Sequence, residues 1–393
     1  MKKMIRKAIY KLLSKLANAK DNYADVEMDA FDAHLYNKYP EKRQIISDGL
    51  SVKASVDDKV KLASLYYDEV CKDTFYDEIK EKVGLNKMTI VGYEDVLMSK
   101  ADYLVSEALE RDNKHLEGLR LKGSILRAYK VPEKAIKIYN YIIDKVEVDL
   151  PSIYYRALSY IDSKEPAKAI RDLDACVEVM PDLPHCRYTR AETLIDIGNY
   201  KSAINDLDAY INLEPDDPSA YFLRGYAKRV IEDYRGSISD FVKSLEMNPE
   251  VSTVYLNLAI AQIEVGLYDE AIDNLVKGQK LYEYPDFSKY KSKVFYLKYD
   301  YENALKEIEE AITAVPNNPD YLFIRGIILS KMGRKEEAMK EFDNVIEMYP
   351  DYKWAYEKRA ELNYELGRFM EAEDDKATVN KLAIQKEYNI KEN

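Results

Sequence analysis

Residues 184–217 read PHCRYTRAETLIDIGNYKSAINDLDAYINLEPDD, and residues 218–251 read PSAYFLRGYAKRVIEDYRGSISDFVKSLEMNPEV. Laid one under the other, they align Pro184 with Pro218, Arg190 with Arg224, Ala191 with Gly225, Ala203 with Ser237, Asp206 with Asp240 and Pro215 with Pro249. The period runs outward in both directions. Eight copies begin at Leu116, Leu150, Pro184, Pro218, Ser252, Pro285, Pro319 and Lys353, 34 residues apart save one interval of 33. Self-similarity at this length marks an array of identical supersecondary units, each too small to bury its apolar face alone.

Counted from the start of each copy, position 8 is always small: Gly123, Ala157, Ala191, Gly225, Ala259, Ser292, Gly326 and Ala360. Position 20 is small as well, from Ala135 and Ala169 through Ser237 to Ala372. Two antiparallel helices can close to contact at such points, with larger residues such as Leu173, Phe241 and Phe342 at position 24 filling the space beside them. Gly198, Gly266, Gly333 and Gly367 stand where the first helix must end in a left-handed residue. Pro132 and Pro166 suit the first turn of the second helix, and Pro181, Pro215, Pro249, Pro316 and Pro350 forbid its continuation. Each copy therefore reads as a helical hairpin.

The period, the paired small positions and the terminal proline resemble the tetratricopeptide-repeat family over residues 116–386. The resemblance implies an all-α, right-handed superhelical solenoid with an N-terminal helical cap region. It also implies that the first helix of each hairpin lines the concave side, so that positions 2, 5, 9 and 12 look into a groove. Position 5 supplies Tyr154, Tyr188, Phe222, Leu256, Lys289 and Phe323, and position 9 supplies Leu158, Glu192, Tyr226, Ile260, Lys293 and Ile327. That stripe is expected to take a protein or peptide ligand with hydrophobic anchors, the two lysines favouring an acidic flank. Several of the same residues could instead pack on the neighbouring copy. The dicarboxylate clamp of chaperone-tail receptors is not expected: the nearest approaches are Arg120 with Ser124, then Tyr155, and Lys289 with Lys293, then Ile324.

Position 7 is basic in Lys122, Arg156, Arg190, Arg224, Lys291, Arg325 and Arg359, and position 23 is acidic in Asp172, Asp206, Asp240, Glu307, Glu341 and Asp375. Where position 7 turns neutral, at Leu258, position 23 is Asn274; Lys122 opposite Ile138 breaks the pattern. This co-variation predicts ion pairs inside each hairpin, notably Arg156–Asp172, Arg190–Asp206, Arg224–Asp240 and Arg325–Glu341.

Ahead of the array, residues 82–115 look like a degenerate copy, with Ala101 and Glu107–Leu109 placed for a second helix. Residues 21–81 are expected to be a helical region capping the stack, with Leu62, Leu65, Tyr66 and Val70 on one face of a helix. Residues 1–20 carry Lys2, Lys3, Arg6, Lys7, Lys11, Lys15 and Lys20 and no acid, with Ile5, Ile9, Leu12, Leu13 and Leu16 on one helical face. They read as a basic amphipathic helix rather than a cleaved signal, docking on the acidic array or on a membrane surface. Residues 387–393 are left as a tail.

The 393 residues carry a net charge of −12, which disfavours nucleic acid. Cys71, Cys176 and Cys186 show no disulfide or zinc spacing, which suits a reducing, cytoplasmic setting and core packing. His34, His115 and His185 stand in no metal-ligand spacing, so no metal, no cofactor and no catalytic residue is expected. The function expected is a non-enzymatic scaffold for protein–protein interaction. Its alternative is a membrane-associated assembly factor tethered peripherally through residues 1–20.

Overall fold

The computed structural model describes Asp32, Tyr36 and residues 39–51, 53–71, 87–146 and 149–391; the basic segment 1–20 lies outside the described residues. Among the described residues every regular element is helical. The chain divides into two compact units, one ending at Ile197 and the other beginning at Gly198. The first holds α1 (Arg43–Leu50), α2 (Val56–Cys71), α3 (Lys87–Arg111), α4 (Leu116–Ala128), α5 (Pro132–Tyr141, continued as a π turn over Ile142–Val146), α6 (Leu150–Asp162), α7 (Pro166–Val179) and α8 (Pro184–Asp196). The second holds α9 (Tyr200–Leu213), α10 (Pro218–Val230), α11 (Tyr234–Met247), α12 (Ser252–Glu264), α13 (Tyr268–Leu281), α14 (Pro285–Leu297), α15 (Tyr301–Ala314), α16 (Pro319–Lys331), α17 (Lys335–Met348), α18 (Lys353–Glu365) and α19 (Phe369–Lys391). Within each unit, consecutive helices pack on one another as a solenoid of hairpins.

Local chemistry sets the helix ends. Asp149, Asp217 and Asn318 accept first-turn amides of α6, α10 and α16, and Asn199, Asp233 and Asp300 do the same for α9, α11 and α15. The turn inside each copy is left-handed at position 15. Gly198, Gly266, Gly333 and Gly367 hold φ of 74–80°, and Lys130, Lys164, Glu232 and Tyr299 hold φ of 59–66° at the same place in the other four copies. An L side chain is disfavoured there by about 1 kcal/mol, so hairpin packing enforces the turn where no glycine announces it.

The close approach inside the hairpins is graded by volume. A Cβ added to Gly123, Gly225 or Gly326 would lie 2.4, 2.8 or 2.6 Å from the ring of Tyr139, Phe241 or Phe342, the position-24 residue of the same copy. Where position 24 is leucine, position 8 is alanine: Ala157 shares a core cluster with Leu173, and Ala259 with Leu275. Ser292, opposite Ile308, is fully buried and donates its hydroxyl to the Ala304 carbonyl at 2.7 Å. Glycine thus makes room for a ring where alanine suffices for an isobutyl group.

Ahead of the array the arrangement differs from expectation. Lys87–Arg111 is one unbroken helix, so the described part of 82–115 contains no hairpin turn. Ala101 and Ala108 are buried with Val105 of their own helix, in one core cluster with Leu62, Ala63 and Tyr66 of α2, the helix α3 packs against. Lys59 and Glu107 tie the two helices at 2.7 Å. Ala63 is the eighth residue of α2, so α2 and α3 reproduce the small-residue approach across a connection far longer than a repeat turn.

Gly225 and Phe241 offer a direct measure of that approach. Gly225→Ala should destabilise by about 1–3 kcal/mol of overpacking, less up to about 1 kcal/mol of helix propensity gained. In a Phe241→Leu background the same change should become neutral or stabilising, and urea unfolding of the four-member cycle reads the coupling.

Candidate functional site

The stripe expected to bind a partner splits between the two units. In the first, Tyr154 is half-buried, shares a core cluster with Cys176 and Cys186, and meets Thr189 Oγ1 through its hydroxyl at 3.1 Å. Burial pushes the Tyr154 phenol above its ordinary value, which keeps it protonated. Leu158 and Tyr188 are half-buried and Glu192 is exposed.

The second unit carries the longer run. Phe222 packs on Phe241 at 6.0 Å between ring centroids, and Phe323 lies between Phe342 at 5.9 Å and Tyr352 at 5.4 Å. Tyr226 meets the edge of Tyr200 and carries the Arg229 guanidinium 5.2 Å above its ring. Leu256 and Ile327 sit against the cores of their hairpins, and Ile260 is half-buried. Tyr154, Phe222, Leu256, Phe323 and Ile327 therefore each keep one side against a core cluster and one outside it. The physical reason lies at position 5, whose side chain covers the position-24 residue of its own hairpin and also reaches the next.

Both lysines already have partners. Lys289 Nζ lies 2.5 Å from Asp286 and near the rings of Tyr290 and Tyr321, and Lys293 Nζ lies 2.9 Å from Glu264. Arg120, the other cation nearest to a clamp, is held by Asp149 at 2.8 Å and Glu117 at 2.5 Å. Trp354, at position 2 of the last copy, was not singled out by the sequence reading. It is the chain's one tryptophan, 57% exposed, with Lys353 5.6 Å from its ring. Position 2 was the available signal, since the other copies place small or polar residues there.

The position-7 column is committed internally. Arg156 donates to both oxygens of Asp172 at 2.8 and 2.7 Å, Arg224 to both of Asp240 at 3.0 and 2.6 Å, and Arg359 to both of Asp375 at 3.0 and 2.6 Å. Arg325 reaches Glu341 with one bond of 2.7 Å, leaving Arg325 Nε and Glu341 Oε2 buried without partners. Lys291 meets Glu307 at 2.5 Å. Lys122, the exception in sequence, turns back to Asp102 at 2.5 Å and Ser106 at 2.8 Å in α3. Arg190 and Asp206 belong to different units, and that expected pair falls outside the description of either.

A second partner escaped the sequence reading. The other guanidinium arm reaches position 25 of the preceding copy: Arg156 to Asn140, Arg190 to Asp174, Arg224 to Asp208 and Arg359 to Asp343, at 2.6–2.8 Å. Leu258 has Val242 at that place, so the neutral copy is neutral on both sides, and Asn274 bonds Gln262 at 2.9 Å instead. Arg156, Arg224 and Arg359 each staple their own hairpin and also the junction to the previous one.

Two tetratricopeptide-repeat family models match, over residues 156–228 and 319–352. A TPR repeat-containing thioredoxin from Arabidopsis thaliana is 38% identical over 74 residues, which are 19% of this chain and 11% of that protein. This is a tetratricopeptide-repeat protein. The chain thus spans about a tenth of that relative's length. Among solved structures, a tetratricopeptide repeat protein from Parabacteroides merdae covers 65% of this chain and 98% of its own at 17% identity and a TM-score of 0.43. The APC/C hetero-tetramer Cut9–Hcn1 covers 91% of this chain and 81% of its own at 10% identity and a TM-score of 0.48.

Among the described residues of this tetratricopeptide-repeat protein, no three histidine, cysteine or acidic side chains gather as a metal site, and no helix is long and apolar enough to cross a membrane. The arginine staples divide by burial. Asp240, 3% exposed, receives both Arg224 and Lys228, whereas the Asp208 side chain is 51% exposed. Asp240→Ala should therefore cost on the order of 3 kcal/mol, because it strands two cations. Asp208→Ala should cost less than about 1 kcal/mol. Chemical unfolding followed by circular dichroism measures both, and equal losses would contradict the assigned asymmetry.

Proposed function

We propose that this chain is a non-enzymatic interaction scaffold of the cytoplasm that holds an extended or helical segment of a partner protein on the first-helix face of its second unit. The observation that carries the reading is the half-buried run Phe222, Tyr226, Leu256, Ile260, Phe323 and Ile327, of which Phe222, Leu256, Phe323 and Ile327 are backed by core clusters, with the exposed ring of Trp354 on α18. Side chains fixed from behind and open in front lose little entropy when a ligand covers them, and aromatic anchors of this kind dominate binding energies. The charges that interrupt the run are neutralised by Asp286 and Glu264, so an apolar segment crosses them without leaving a cation unpaired. An acidic flank on the ligand adds little here, since it would compete with carboxylates already in place. Affinity rests on the apolar anchors.

The single tryptophan supplies the assay. A partner captured from lysate and mapped to its binding segment by mass spectrometry should shift the Trp354 emission to the blue on titration. Tyr226→Ala and Trp354→Ala should each weaken that segment by about tenfold, about 1.4 kcal/mol, with helicity retained. Emission unmoved by a bound segment, together with an unchanged affinity in both variants, would place the site elsewhere.

A further inference from the structure

Cys176 on α7 and Cys186 on α8 are both fully buried and share one small core cluster with Val177. The repeat register explains why they meet. Cys176 is position 27 of its copy and Cys186 position 3 of the next, and at the last three junctions of the array these two positions touch or share a core cluster. A Cβ on Gly278 would lie 2.5 Å from the Phe287 ring, Ala311 clusters with Tyr321, and Val345 clusters with Ala355. Position 27 and the following position 3 fill one space between hairpins, small against large. At the second junction that space holds two free thiols side by side in one core cluster.

We propose that Cys176 and Cys186 are an oxidation site, a dithiol that a peroxide closes to a disulfide, locking the second hairpin to α8. The roles of the two sulfurs follow from their surroundings. Cys186 is the third residue of α8, whose N-cap Leu183 offers no side-chain acceptor, so the first-turn amides and the helix dipole favour a thiolate there. The Cys176 thiol donates to Cys186, and the Arg190 guanidinium adds positive charge, both holding the Cys186 thiol below its ordinary value. Donation to Cys186, burial and the Asp172 carboxylate hold the Cys176 thiol above its own. Cys186 is the attacking thiolate and Cys176 the resolving thiol.

In the first step the Cys186 thiolate attacks one peroxide oxygen; the O–O bond breaks, leaving a sulfenic acid and hydroxide, which takes the proton lost from Cys186 and becomes water. In the second step Cys176 sulfur attacks the sulfenic sulfur, its proton leaves with the hydroxyl as water, and the S–S bond forms. Two thiols and one hydrogen peroxide give one disulfide and two waters. Fraying of the uncapped first turn of α8 admits the oxidant.

The test uses the full chain and hydrogen peroxide. Both cysteines lie on one tryptic peptide, residues 172–187, bounded by Arg171 and Arg187. After oxidation, denaturation and alkylation, that peptide should appear two hydrogens lighter than the dithiol form and unalkylated, reverting with dithiothreitol, and the oxidised chain should melt at a higher temperature. In Cys176→Ser, Cys186 should stop at the sulfenic acid and label with dimedone. Full alkylation of both cysteines after peroxide, absence of the dimedone adduct in Cys176→Ser, or a disulfide that leaves the melting temperature unchanged or lower would each overturn the proposal.

Discussion

Everything in the array depends on two helices being allowed to touch at position 8. A hairpin of some 30 residues has no core of its own in the ordinary sense; it has one line of contact, and the distance along that line sets what else can fit. At Gly225 and Gly326 the helix backbone itself meets a phenyl ring, while at Ala157 and Ala259 a methyl group meets leucine. The two residues are one packing unit distributed over sixteen positions of sequence. Once it is set, the turn between the helices has little choice of path. Lys130, Lys164, Glu232 and Tyr299 accept a left-handed backbone that their own side chains disfavour.

The same logic shows how much was legible in the sequence. Copy boundaries were readable because proline, small residues and carboxylate–arginine pairs recur in fixed register, and a helix begins at each of Leu116, Leu150, Pro184, Pro218, Ser252, Pro285, Pro319 and Lys353. The pairing of α2 with α3 was not readable by period, because their connection breaks the 34-residue spacing, although Ala63 and Ala101 carry the same small-residue mark. The correlation of glycine with aromatic and alanine with leucine was present in the two columns, as was the polar residue sixteen before each arginine, Asn140 before Arg156 and an acid before the others. Periodicity alone does not say which of two flanking columns a long side chain reaches.

The first-helix stripe shows a different limit. Its residue types were readable, but their exposure depends on whether position 5 leans over its own hairpin or into open space. Phe222 and Phe323 lean onto Phe241 and Phe342, and the rings that made glycine necessary at position 8 are the rings they cover. The proposed binding face, built this way, is continuous with the core. Ligand contacts made there would be felt along the line that holds the hairpin closed, and stiffness of the face comes from the same packing.

Coupling between neighbouring hairpins is uneven, and the arginine column explains where. The junction crossed by Arg224 and Asp208, and the one crossed by Arg359 and Asp343, add directional ionic bonds to apolar contact. Between the fourth and fifth copies Val242 and Leu258 stand in those places, and Val254, Leu258 and Ala261 pack with Phe241 instead. An ionic junction has one preferred register, because a forked guanidinium tolerates little sliding, whereas an apolar junction resists separation more than it resists shear. It follows that a ligand laid along the proposed face of the second unit would find its adjustable point at Phe222–Leu256, where apolar packing joins the copies on either side, and its fixed point near Trp354, on the helix that carries the Arg359 staple.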